Sequence, residues 1–234
     1  MARRRIKTTR LDIIRHATSA FLERGYSASS TKQIAEDLDI ATGNLTYYFP
    51  TKEHLLAVLV DMFCDFQWKQ MEKIANEGLS SVMAICLELA SMASACEQDA
   101  VIRDFFISAY TSPICLEIIR KNDAERAARV FAAHRPEWTK EQFAEAEILC
   151  SGIEYATLMT VGDPVPLETR VAGALNNILG IYNIPQALRD AKIQRVFDLD
   201  YRRLGKQTLE AFRQYVEKTN DQALEELQSS NHAG

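Results

Sequence analysis

The sequence is poor in residues that break helices and in most of what builds reactive sites. Nine glycines and six prolines among 234 residues leave few enforced turns, and no stretch alternates apolar and polar residues as a half-buried strand does. The longest aliphatic stretch, Leu55 to Val60, is far too short to span a bilayer. No apolar segment follows the charged N-terminus as it does in a secretory leader, so no membrane partner is expected. Cysteine is limited to Cys64, Cys86, Cys96, Cys115 and Cys150. That is an odd number without a CxxC pair, which points to reduced, mostly buried thiols and a cytoplasmic protein. The four histidines, His16, His54, His134 and His232, lack partners at ligand spacing, and there is no GxSxG, Walker or GxGxxG motif. Nothing therefore supports an enzyme, a metal site or a cofactor.

What is present is material for helices. Apolar residues make up 47% and charged residues 25%, the balance of an ordinary globular protein that can bury its own core. Abundant Ala, Leu, Glu, Lys and Gln point to an all-α fold. The net charge of −5 argues against a nucleic-acid partner until its distribution is considered. Residues 1–52 hold nine Lys/Arg against five Asp/Glu, so that segment carries +4 and the remainder −9. A basic end on an acidic body suggests an anion-binding module joined to something else.

Apolar spacing predicts a first helix from about Thr9 to Arg24, ended by Gly25. Ser30 with Gln33 reads as a capping box opening a helix over Thr31–Leu38. A tight connection, Asp39-Ile40-Ala41, leads to a helix from Thr42 to about Tyr48, which Pro50 stops. Thr51 is placed to cap a long helix from Lys52 to about Glu77. Further helices are expected at about 79–97, 100–111, 113–134, 139–161, 167–182, 186–198 and 200–228, with Thr139 and Gln142 as a second capping box. Gly162 to Pro166 is the clearest loop. The chain is expected to divide into a basic N-terminal domain at 1–52, a helical body at 53–228, and a frayed tail at 229–234.

Residues 30–49 carry the function. A helix-turn-helix needs a capped first helix, a short turn, small and apolar residues where the helices cross, and a second helix with a short polar outer face. Ile34, Ala35, Leu38, Ile40, Leu45 and Phe49 suit the inside. Thr42, Gly43, Asn44, Thr46 and Tyr47 face outward, and none obstructs approach to a major groove. Ser30 with the free N–H groups beside it, the hydroxyls of Tyr47 and Tyr48, Lys52, and the arm Arg3, Arg4 and Arg5 are suited to phosphate.

Residues 9–56 resemble the DNA-binding domain of the TetR family of bacterial repressors. The resemblance is carried by Phe21…Gly25-Tyr26, by Ser30-x-x-x-Ile34-Ala35, and by the ordered run Gly43-Asn44-Leu45-x-Tyr47-Tyr48-Phe49-Pro50-x-Lys52-Glu53-x-Leu55-Leu56. It implies Thr42, Gly43, Asn44 and Thr46 at base edges, and Ser30, Lys32, Tyr47, Tyr48 and Lys52 at phosphates. Asp39 stands where the family usually has the turn glycine, Ala41 where a Ser or Thr often caps the recognition helix, and Thr46 where tyrosine is frequent.

The resemblance also implies a larger helical ligand-binding and dimerisation domain, a homodimer on a palindromic duplex operator, and an unidentified small-molecule effector. Two-fold symmetry is also favoured because one short helix reads few base pairs. Segments 139–161 and 167–182 are favoured for the dimer interface. Phe66, Cys86, Phe106, Tyr110, Tyr155 and Met159 lie on segments that would surround a ligand pocket, although ordinary core is the simpler reading of each. Glu154, Asp163 or His134 could orient a polar ligand group, although solvated surface is the simpler reading of all three. The expected function is a ligand-responsive repressor; the alternatives are an interaction module whose basic arm binds membrane or RNA, and an enzyme with an unrecognised site.

Overall fold

A computed structural model of the chain describes residues 9–76, 79–162 and 164–232, and all regular structure among them is helical. Three short helices come first: α1 (Arg10–Glu23), α2 (Thr31–Asp37) and α3 (Thr42–Tyr48). The long α4 (Lys52–Asn76) leads into α5 (Ser81–Gln98), α6 (Ala100–Thr111), α7 (Pro113–Phe131), α8 (Lys140–Met159), α9 (Leu167–Ile181), α10 (Gln186–Asp198), α11 (Tyr201–Lys218) and α12 (Asp221–His232).

The helix ends have local causes. Thr9 and Asp12 form a reciprocal capping box at α1, and Gly25 follows its end at φ +95°. Asp99 caps α6 by accepting from the N–H groups of Val101 and Ile102, and Pro113 stands at the first position of α7. Asn183 closes α9 at φ +59°, with Ile184 N donating to Leu179 O and Asn183 N to Gly180 O. That pair of bonds is a Schellman ending, which needs a left-handed residue there. The box expected at Thr139 and Gln142 is present.

The core is organised around α5, which is buried on nearly every side from Val82 to Cys96. A helix apolar all round belongs inside, and α4, α6, α8, α9, α10 and α11 pack against it. Its closest neighbour is α11, because Gly205 has no side chain; a Cβ there would lie 2.6 Å from the carbonyl oxygen of Ser91. At the other end of the body, Tyr182 stacks on Phe131 at 4.0 Å and meets Trp138 and Phe143, tying α7, α8 and α9 together. All five cysteines are buried and free. Burial raises their thiols, Cys86 and Cys96 to about 12, so they are not nucleophiles at neutral pH.

One expectation fails. The single helix expected over 200–228 is broken: Thr219 is extended and Asn220 Oδ1 accepts from Ala223 N, which starts α12. The second piece, α12, runs to His232, with Leu224, 2% exposed, seated in the core.

Candidate functional site

The helix-turn-helix is built by α2 and α3 against α1. Ile34, Ala35 and Leu45 are fully buried, Phe49 nearly so, and Leu38 and Ile40 pack against the same core. Ser30 Oγ accepts from Gln33 N at 3.1 Å, but the expected reciprocal half of the box is missing. The Gln33 side chain is turned along the helix instead, its amide N–H donating to the Asp37 carboxylate at 2.9 Å. Asp37 also takes His16 at 3.1 Å and Arg24 at 3.0 Å. These hydrogen bonds, Gln33 first, hold its carboxyl at about 2 and fix the angle between α1 and α2.

The turn adopts the conformation that a glycine would favour. Asp39 has φ +52°, and Ile40 N and Asp39 N donate to the carbonyls of Ala35 and Glu36. This is again a Schellman ending, reached by one of the few non-glycine residues that tolerate it. Ala41 supplies no side-chain cap to α3. Thr42, Gly43, Asn44 and Thr46 are exposed. No hydrogen bond engages the side chains of Thr42 and Asn44, whereas the Thr46 hydroxyl donates to Gly43 O at 3.2 Å. Tyr47 is 83% exposed and meets the half-buried Tyr48 edge-on at 5.2 Å. Ser30 and Lys32 are exposed on the same side of the motif as the start of α2. Arg3, Arg4 and Arg5 lie outside the described residues.

Lys52 is placed differently from a simple phosphate ligand. Its ammonium donates to the carbonyls of Tyr26 and Ser29, both at 2.9 Å, and sits 4.0 Å from the centre of the Tyr26 ring. Partial burial lowers its pKa. It is a clamp between the α1–α2 loop and α4. The same lysine that opens α4 therefore fastens the reading module to the body.

Other contacts reinforce that joint. Asp104 of α6 accepts from Ser27 N at 2.7 Å and from Ser27 Oγ at 2.5 Å. Arg15 of α1 donates to the carbonyls of Glu217 and Thr219 at the end of α11, and Glu23 pairs with Arg213 at 2.9 Å. A guanidinium on a helix C-terminus satisfies carbonyls that have no partner within their own helix.

A cavity of about 300 Å³ opens among α4, α5, α6 and α11, walled by Phe63, Phe66, Leu87, Phe106 and Leu209. A chamber of about 30 Å³ adjoins it, reaching Tyr110, Asp123 and Glu154. Of the residues singled out from sequence, Phe66 and Phe106 line the larger space and Tyr110 the smaller. Cys86, Tyr155 and Met159 line neither: Cys86 is packed in the core, and Met159 is 43% exposed on the surface. Glu154 is not solvated surface. Its carboxyl faces the small chamber and accepts from Tyr110 at 2.8 Å; desolvation pushes it well above the usual range. Gln67 and Glu88, which stand in both walls, have ordinary helical spacing and carry no distinguishing sequence signal.

Residues 13–59 match the family model described as bacterial regulatory proteins, tetR family. This N-terminal segment is therefore similar to the DNA-binding segment of that family. The matched stretch contains the whole helix-turn-helix and the Lys52 clamp. A curated relative, the uncharacterized HTH-type transcriptional regulator YuxN of Bacillus subtilis (strain 168), is 32% identical over 66 residues, or 28% of this chain. The chain thus spans 23% of that relative's length. Among solved structures, Mycobacterium smegmatis AmtR is 17% identical with a TM-score of 0.38, covering 85% of this chain and 99% of its own. The ketosteroid transcriptional regulator KstR2 of Mycobacterium tuberculosis is 16% identical with a TM-score of 0.37, covering 76% and 95%. Among the described residues, no helix is long and apolar enough to cross a membrane.

Proposed function

We propose that this chain is a TetR-type, ligand-responsive repressor of transcription that binds a palindromic operator as a homodimer. The observation that carries the reading is the outer face of α3. Thr42, Gly43, Asn44 and Thr46 stand exposed on a short helix whose inner face is fully buried. That face is small enough to enter a major groove and polar enough to read base edges. Ser30, Lys32, Tyr47 and Tyr48 would contact phosphates around it, with the arm Arg3, Arg4 and Arg5 reaching further along the backbone. Lys52 would support these contacts from within by holding the loop before α2.

Dimerisation is supported by an unpartnered apolar stripe on α8. Ile148 and Leu149 are 53% and 60% exposed, and Met159 continues the stripe. Gly152 on α8 and Gly173 on α9 have open space where a side chain would stand, so a second copy can approach closely. Two reading helices on a two-fold axis would engage half-sites about 34–36 Å apart.

Effector binding is supported by shared helices. The helices α4, α6 and α11 wall the cavity, and the same three hold the 1–52 module through Lys52, Asp104 and the end of α11. A ligand that binds better to one arrangement of these helices shifts the pair of reading heads. Selection of bound fragments from the source genome, followed by footprinting, tests the reading. Two protected half-sites related by a dyad are expected; equal binding to RNA or to anionic vesicles would overturn it.

A further inference from the structure

Resting on the ligand-responsive reading above, we infer that the effector is a cationic amphipath, an organic amine whose apolar body fills the aromatic cavity and whose ammonium lies between Gln67, Glu88 and Glu154. The cavity and its adjoining chamber share a wall made by Phe63, Gln67, Glu88, Met92 and Phe106. A ligand seated on the rings therefore has its polar end against the two acids and the amide.

The polar groups at that wall are short of donors. Gln67 is 8% exposed, and its amide nitrogen donates only to the Met92 thioether at 3.7 Å. Its carbonyl oxygen accepts from no described residue. That side chain borders the cavity, where a donor carried by a ligand can reach its oxygen. Glu154 takes one hydrogen bond, from Tyr110, although a carboxylate can accept about four.

Charge is short in the same direction. Glu88, Asp123, Glu147 and Glu154 influence one another in the interior, and Arg126 is the guanidinium that faces them. It binds Glu88 through two bonds of 3.0 and 2.8 Å and stands 3.4 Å from Asp123. That leaves Glu154 with no cationic partner among the described residues. Desolvation raises Asp123, Glu147 and Glu154, and a cation placed beside them would favour their charged forms. A bound ammonium supplies both the donors and the charge, and the neighbouring Phe63 and Phe106 faces attract a cation further. A carboxylate ligand would meet repulsion at the same place.

The test is calorimetric titration of the full-length protein with phenylbutylamine, phenylbutanol and phenylbutyrate, three probes of one shape and different charge. The amine is expected to bind about tenfold more tightly than the alcohol or more, the worth of a charge-assisted bond. It should also release protons, seen as a heat that changes with the buffer's ionisation enthalpy. Glu154→Gln, which retains a partner for Tyr110, should erase the preference, and Gln67→Met should weaken the amine while sparing the alcohol. Alcohol or acid binding as tight as the amine, or no amine binding at all, would overturn the assignment. Amine preference with no change in affinity for a genome-selected operator would instead retire the ligand-responsive reading and leave the cavity chemistry standing.

Discussion

Replacing Lys52 by Met keeps the aliphatic stem and removes the ammonium, and the structure dictates what that costs. Two charged hydrogen bonds of 2.9 Å to the carbonyls of Tyr26 and Ser29 are lost, together with a cation–ring contact at 4.0 Å. A bond to a charged group contributes about 1.5–3 kcal/mol and an exposed cation–ring contact about 0.5–1 kcal/mol. Lys52 is only half-buried, so water replaces part of this, and the net loss is about 2–4 kcal/mol. In a chain of this length each kcal/mol moves the unfolding midpoint by about 2–4 °C. Thermal unfolding followed by circular dichroism, without DNA, should therefore show a midpoint lower by roughly 4–16 °C. Binding to operator should weaken with it, while the slope of log affinity against log salt stays nearly constant. An unchanged midpoint, with that slope reduced by about 0.9, would refute the clamp and make Lys52 a phosphate ligand.

Other perturbations address separate parts of the molecule. Asn44→Ala should lower discrimination between operator and base-substituted duplexes by about 1–3 kcal/mol in competitive binding; a uniform loss on all duplexes would assign Asn44 to the backbone instead. Leu149→Glu on the exposed α8 stripe should convert a dimer to a monomer in sedimentation, and an unchanged mass would move the interface elsewhere. Stability should also depend on pH through Glu147, which accepts a hydrogen bond from Tyr182 and is raised to about 7, chiefly by desolvation and then by Asp123. Because its folded pKa lies above the unfolded value, the folded state binds more protons over roughly pH 4.5–7, and stability falls as pH rises through that window. Denaturant midpoints should be higher at pH 5.5 than at 7.5, and Glu147→Gln should flatten the difference.

Secondary structure and the reading module were legible in the sequence because their causes are local. Helix starts at Thr9, Ser30 and Thr139 rest on side chains reaching three residues along the chain. The turn at Asp39 took the positive φ that its position in the motif required. The outward face of α3 followed from which of its residues must pack against α1 and α2. A helical period sorts side chains into faces, and that is enough to separate Leu45 from Asn44.

Long-range packing decided the rest, since period alone does not say what lies opposite a face. Glu154 has the spacing of an ordinary solvated glutamate, yet α6 and α8 close over it and its hydrogen bond comes from Tyr110, 44 residues earlier. Lys52 belongs to a phosphate-binding pattern by sequence, yet carbonyls 26 and 23 residues before it draw it inward. The break at Thr219 is likewise tertiary: the carbonyls at the end of α11 are taken by Arg15, more than 200 residues away in the chain. Capping and periodicity made the helices and the exposed polar face of α3 readable in one dimension. The cavity, its acids and the joint between module and body exist only where distant helices meet, because burial and electrostatic pairing are properties of that meeting.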